Sequence, residues 1–216
     1  MTEPVLYSFR RCPYAMRARM ALLASGTRVQ LREVVLKDKP AALLAASPKG
    51  TVPVMVLANG EVVEQSLEIM LRVLRSNDPL KWMPETDQQL HTSLRLIAGC
   101  DENFKQHLDR YKYPHRFNLP DGLANRAEGA IFLEAIDAIL QSQSFLHGSR
   151  WGLADAAVAP FVRQFAHTDS SWFSAQSWSA LRSWLQAFED SAFFATCMHK
   201  AAAWREGDEV SFFPPA

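Results

Sequence analysis

One cysteine in this chain stands where a cysteine can become a nucleophile. The stretch FRRCPYAMRARMALLASG, Phe9 to Gly26, sets Cys12 between a short β-prone run and a helical pattern, with Arg10, Arg11, Arg17 and Arg19 around it. At the start of a helix a thiol faces unpaired backbone N–H groups and the positive end of the dipole, and both favour the thiolate. Between Glu3 and Glu33 there is no acidic residue, whereas Arg10, Arg11, Arg17, Arg19, Arg28 and Arg32 all fall in that interval. Cys12 is therefore expected to titrate in the range of about 3.5 to 7.5 known for such sites. Ala15 stands where a C-x-x-C motif would carry its second thiol, so a product formed on Cys12 needs an external thiol to resolve it. The competing reading is a half-buried structural cysteine beside solvated arginines.

The elements that would position this thiol can be read from the pattern around it. VLYSF, Val5 to Phe9, is a short strand; Pro13 suits a first helical position, and Gly26 stops the helix. TRVQLREVV alternates as a half-buried strand, KPAALLAA is a short helix ended by SPKG, and Asn59-Gly60 joins VMVL to EVV as a hairpin. Ser66 is expected to cap the helix LEIMLRVL. The order βαβαββα is the thioredoxin-type topology, predicted over residues 1–76. SNDPLKWMPETD reads as a linker over 77–87, and 88–216 as an all-α domain without strands.

Within that second domain, Thr86 and Gln89 fit a capping box opening a helix to about Asp109. Ile131, Phe132, Ala135, Ile136, Ile139 and Leu140 trace one face of another helix. GLADAAVAPFVRQFAH reads as a buried central helix bent at Pro160; Trp178, Leu181, Trp184, Leu185 and Phe188 form a further stripe, and a final helix is expected through AFFATCMHKAAAW. The fold class is thus α/β plus all-α.

Composition narrows the function classes. With 216 residues, 48% of them hydrophobic, and a formal net charge of zero, nothing in the balance suggests nucleic acid or a membrane as partner. Three widely spaced cysteines, Cys12, Cys100 and Cys197, disfavour a disulfide framework and a zinc site, and the six histidines show no ligand spacing, so no metal is expected. MTEPVLYSF lacks a basic and then apolar leader, and no long apolar run follows. The expected location is cytoplasmic.

Four motifs in order, YSFRRCPYAMRARMAL, TVPVMV, VEQSLEIM and LADAAVAPFVRQF, resemble a cytosolic glutathione transferase of the cysteine type, nearest the omega class and its bacterial relatives. The resemblance spans nearly the whole chain. It implies a thioredoxin-like domain, an all-helical domain, a homodimer, and glutathione as co-substrate. In it, Cys12 forms the mixed disulfide with glutathione. Lys39 meets the glycine carboxylate of the tripeptide, and Val52, before Pro53 (cis in the family), pairs with the cysteinyl amide. Gln65 and Ser66 hold the γ-glutamyl end, a role that helix-terminus physics supports independently for Ser66. Phe9 and Tyr14 border the tripeptide, and Tyr14 covers the thiol. Omega-type sequences often carry Glu at the position of Gln65, which here removes a charge opposite the amino group of the tripeptide.

Asp155 is expected to act in folding, by bonding back to the Gly152 N–H, because Gly152 occupies the cap position where Ser or Thr is usual. Tyr7 is read as core. Phe104, Tyr111, Phe165 and Trp172 are candidates for an acceptor pocket that would take a small electrophile or disulfide, with core packing as their alternative role. The rival function is a non-catalytic binding protein of the stringent starvation protein type; a two-domain glutaredoxin is a third reading, for which the second motif cysteine is missing.

Overall fold

The computed structural model describes residues 3–215, which divide into two units, residues 3–82 with 191–215 and residues 83–190. The first is built on a sheet. Strands β1 (Val5–Ser8) and β2 (Val29–Glu33) run parallel; β3 (Val54–Val56) lies antiparallel to β1, β4 (Val62–Val63) antiparallel to β3, and β5 (Phe212–Phe213) antiparallel to β2. The spatial order is β4-β3-β1-β2-β5. Helices α1 (Pro13–Ser25), α2 (Ala41–Ala46) and α3 (Ser66–Ser76) complete the expected βαβαββα order.

Local chemistry explains these bounds. Pro13 sits in the first turn of α1, where its missing N–H costs no helical bond, and Gly26 at φ 67° closes the helix while Thr27 N–H reaches back to the Leu22 carbonyl at 3.0 Å. α1 is buried on nearly every side, arginines included. The hairpin turn is a tightened loop, not a two-residue one: Gly60 N–H donates to Leu57 O at 2.9 Å and Glu61 N–H to the Asn59 side chain at 3.0 Å.

Three expectations change here. Residues 77–82 are pinned to the first unit and do not hang as a linker: Asn77 Nδ2 donates to Ser25 O at 2.8 Å, Trp82 N–H to Asp78 Oδ1 at 2.9 Å, and the buried Trp82 ring packs on Phe193 at 5.4 Å. The final helix, α10 (Ala192–Cys197), stops six residues in. Beyond it the chain runs extended along β2, with Trp204 N–H on the Glu33 carbonyl at 2.8 Å, before forming β5. Residues 191–215 therefore belong with the sheet and contain a strand, where an all-helical segment was expected.

The second unit is helical. Helix α4 (Asp87–Gly99) opens with the expected box: Gln89 N–H donates to Thr86 Oγ1 at 3.2 Å and Thr86 N–H to Gln89 Oε1 at 3.1 Å. A π-turn over Cys100–Phe104 leads into α5 (Lys105–Lys112). Then follow α6 (Leu123–Ser142), α7 (Leu153–Ala166), helical through Pro160 and buried along most of its length, α8 (Ser170–Ser174) and α9 (Ser179–Glu189). Helices α6 and α7 approach closely at Gly129, where a Cβ would come within 2.7 Å of the Phe165 ring. Asp137 of α6, buried, accepts from Leu181 N–H at 2.8 Å and so caps α9 from outside it.

Candidate active site

The junctions of the first unit gather most of the residues singled out above. Cys12 is the N-cap of α1 in an extended conformation and is half-buried against the cluster of Tyr7, Val34, Leu43, Val52 and Val54. Its Sγ donates to the Val52 carbonyl at 3.6 Å, a bridge between chain positions 40 apart. Two influences therefore compete at this sulfur. The helix start favours the thiolate, and the Val52 carbonyl, which can only accept, favours the thiol.

Val52 precedes a cis bond to Pro53, and both residues are buried. Lys39 is exposed and lies against the loop that leads into Val52. A Cβ on Gly50, at φ 57°, would come within 3.4 Å of Lys39 Nζ and 2.9 Å of Leu44, so the absent side chain is what lets the lysine lie there. Phe9 is half-buried with Arg11 at 5.3 Å over its ring, and its carbonyl accepts from Cys12 N–H at 2.9 Å. Tyr14, the second residue of α1, is half-buried.

Ser66 departs from its expected place by one residue. Gln65, exposed and extended, is the N-cap of α3 and makes no side-chain cap bond; Ser66 is the first helical residue. Its buried hydroxyl accepts from Arg17 Nε at 2.9 Å instead of capping the helix. Glu64, beside them, is tied to the Ser47 hydroxyl and, at 3.2 Å, to Lys49; the Ser47 bond foremost holds its carboxyl below the usual range.

The arginines, adjacent in sequence, separate in space. Arg19 is fully buried, ion-paired with Glu33, and donates to Ser8 Oγ at 2.8 Å and to the Cys197 carbonyl at 3.0 Å. Burial lowers its pKa against the raising effect of Glu33. Arg28 packs 4.0 Å over Phe212, while Arg32 bonds the Tyr7 hydroxyl and stacks 4.1 Å from Trp204. Half of the positive charge counted around Cys12 is thus engaged elsewhere. Tyr7 is core, as expected. The roles of Arg17, Arg19 and Gly50 were not read from sequence; the available signal was that MALLASG leaves α1 no polar face for its arginines.

The residues proposed for an acceptor pocket form one aromatic cluster in the second unit. Phe104, Tyr111 and Trp172 each pack on Phe165, at 5.5, 4.9 and 6.2 Å between ring centres. Phe104 and Phe165 are buried core. Trp172 is half-buried under Arg126 at 4.5 Å, and the buried Tyr111 hydroxyl has no hydrogen-bond partner among the described residues. Burial raises the Tyr111 pKa against the pull of Arg126.

Asp155 is fully buried in the second unit. Its carboxylate accepts from Gly152 N–H at 3.1 Å, as expected, and from Leu146 N–H at 2.9 Å and Trp184 Nε1–H at 2.8 Å. Burial pushes this carboxyl up to about 6 despite those donors. Cys100 and Cys197 are fully buried, and burial pushes the Cys197 thiol up to about 12.

Residues 6–82 match the family model of the glutathione S-transferase N-terminal domain, and residues 131–187 that of the C-terminal domain; together they span more than half of the chain. Mouse glutathione S-transferase omega-1 is 39% identical over 62 residues, 29% of this chain and about a quarter (26%) of the relative. Glutathione S-transferase U28 of Arabidopsis thaliana is 24% identical over 165 residues, 76% of this chain and 73% of that one. Among solved structures, a glutathione S-transferase from Rhodospirillum rubrum superposes with a TM-score of 0.76 at 20% identity, covering 93% of this chain and 94% of the other, which is a likeness of fold.

Proposed function

Because the chain belongs to the glutathione S-transferase family, carrying both of its domains, we propose that it is a cysteine-type, omega-like member that transfers thiols with glutathione as co-substrate. The observation that carries this is Cys12 at the start of α1, half-buried beside the Val52-Pro53 turn, while the other two cysteines are buried. The Cys12 thiolate attacks the glutathionyl sulfur of a mixed disulfide R–S–SG; the S–S bond breaks, RS⁻ leaves and takes a proton, and Cys12–S–SG remains. A glutathione thiolate then attacks Cys12 Sγ's partner sulfur, releasing GSSG and restoring the Cys12 thiolate. Deglutathionylation fits this cycle directly, and reduction of dehydroascorbate would share its resolving step.

The tripeptide is held at its ends. Lys39 takes the glycine carboxylate, the Val52 backbone the cysteinyl amide, and Ser66 with Gln65 the γ-glutamyl end, with Phe9 and Tyr14 alongside. The first turn of α3 supports this, since no side chain caps it and a carboxylate suits its N–H groups. In the second unit, contact with a small electrophilic or disulfide acceptor falls to the half-buried Trp172, because Phe104, Phe165 and the Tyr111 hydroxyl are buried. Homodimerisation, the family habit, and a cytoplasmic location, which fits three cysteines outside any disulfide, complete the proposal.

Oxidised glutathione should add one tripeptide mass at Cys12, reduced glutathione should remove it, and Cys12→Ser should abolish turnover in a coupled reductase assay. An adduct on Cys100 or Cys197, or full activity in Cys12→Ser, would sink the mechanism and favour a binding role.

A further inference from the structure

We infer that Arg17 is a positioning residue for glutathione, acting through Ser66. The inference rests on the reading that Ser66 meets the γ-glutamyl carboxylate, and it assigns the side chain that readies Ser66 for that contact. A serine hydroxyl has one proton to donate and two lone pairs that accept, whereas a guanidinium only donates. Arg17 Nε–H points at Ser66 Oγ at 2.9 Å, so one lone pair is taken and the hydroxyl proton is turned away from the arginine. Both residues are buried, Arg17 to 2% and Ser66 to 4% exposure, and among the described residues the Ser66 hydroxyl donates no hydrogen bond.

The other groups at this helix start are donors too. α3 is 11 residues long, its N-cap Gln65 makes no side-chain cap bond, and Ser66 is spent on Arg17 instead of on the first turn. A hydroxyl proton, an uncapped first turn and a buried cation behind the hydroxyl together suit a carboxylate. The guanidinium also stacks 5.0 Å over the Tyr14 ring, two residues after Cys12. One side chain therefore ties the start of α1, which carries the thiol, to the start of α3, which carries Ser66. A neutral residue at position 17 would leave the hydroxyl free to rotate its proton toward a carbonyl and its lone pair toward the ligand, where it would repel a carboxylate.

The test compares two ligands by calorimetry on the reduced protein: glutathione, and γ-aminobutyryl-cysteinyl-glycine, which lacks only the α-carboxylate of the γ-glutamyl group. The wild-type protein should prefer glutathione by about tenfold to hundredfold. Arg17→Lys, which keeps a buried charge but not the Nε–H geometry, and Arg17→Met should each lose most of that preference while binding the analogue within about twofold of wild type. In a Ser66→Ala background, Arg17→Lys should leave the ratio of the two affinities unchanged. A purely structural role for Arg17 predicts equal weakening of both ligands and effects that multiply with Ser66→Ala, and either result would overturn the inference. Equal wild-type binding of the two ligands would instead refute the γ-glutamyl reading of Ser66 itself. Should Arg17→Met fail to fold, as a urea melt would reveal, Arg17→Lys alone decides.

Discussion

Replacing Asp155 by alanine should unfold the second unit before it touches the chemistry. The carboxylate accepts from the N–H groups of Leu146 and Gly152 and from Trp184 Nε1, and alanine leaves all three without a partner in a fully buried place. Each orphaned donor costs about 1 to 3 kcal/mol, so the gross loss is about 3 to 9 kcal/mol, reduced where water enters the gap. At ~2 to 4 °C per kcal/mol for a chain of this size, the melting temperature should fall by about 6 °C or more. The loss should also depend on pH. Burial holds the folded pKa at about 6, above the 3.8 of a free aspartate, so the folded state binds more protons between those values and the contribution of Asp155 to stability declines as pH rises through that window. The alanine variant has no such group, so its deficit should be about 1 to 2 kcal/mol larger at pH 5 than at pH 7.5. Thermal melts of both proteins at the two pH values measure this. A variant that melts like wild type but loses turnover would show that Asp155 acts in catalysis, and a deficit larger at pH 7.5 would reverse the argument about its ionisation.

Three further outcomes are expected. The alkylation rate of Cys12 against pH should show a midpoint below 8.5, the unperturbed value of about that size; a midpoint at or above it would mean that the Val52 carbonyl outweighs the helix start. Lys39→Ala should weaken glutathione binding about tenfold to hundredfold with an unchanged melting temperature, since Lys39 is exposed; unchanged affinity by calorimetry would move the glycine end elsewhere. Arg19→Met leaves Glu33 buried without its ion-pair partner and should cost about 3 to 5 kcal/mol in urea denaturation, whereas a loss under about 1 kcal/mol would mean that the pair contributes no more than a surface one.

Periodicity and end signals are enough for the element order of the first 76 residues and for the start of α4, because these are decided locally, although the cap of α3 falls at Gln65 and not at Ser66. Pro13 and Gly26 bound α1, and the Thr86–Gln89 box opens α4 within four residues of sequence. What escaped was decided at long range. AFFATCMHKAAAW contains enough alanine to continue as a helix, yet α10 ends at Cys197, whose carbonyl is taken by Arg19 Nη1 at 3.0 Å, a residue 178 positions earlier. A carbonyl in that bond has less to offer the next turn, and Trp204 N–H is drawn instead to the Glu33 carbonyl of β2. β5 is two residues long and precedes a proline, so neither alternation nor length marks it; the open edge of β2 makes it a strand. Trp82 likewise reads as part of a polar, proline-containing linker until Phe193 supplies the ring it packs against.

The same division runs through the site. That Cys12 begins a helix follows from Pro13 and the spacing of apolar residues, and the structure agrees. The number of arginines along the chain is a weaker guide to the charge around Cys12. Charge acts through space: Glu33, the residue that closes the acid-poor interval, folds back onto Arg19 and neutralises it, while Arg28 and Arg32 lie over aromatic rings near the C-terminal strand. A buried guanidinium is tolerated only when its donors find acceptors, and an α1 without a polar face must find them in other elements. Arg17 finds Ser66 and Arg19 finds Glu33, Ser8 and the Cys197 carbonyl, so the two arginines of RAR do different work although they stand two residues apart. One fastens the C-terminal segment to the sheet, and the other reaches the helix start that carries Ser66. Counting cations along the sequence is thus a poor guide to the surroundings of Cys12, where the start of α1 and the Val52 carbonyl act in opposite directions on the thiol.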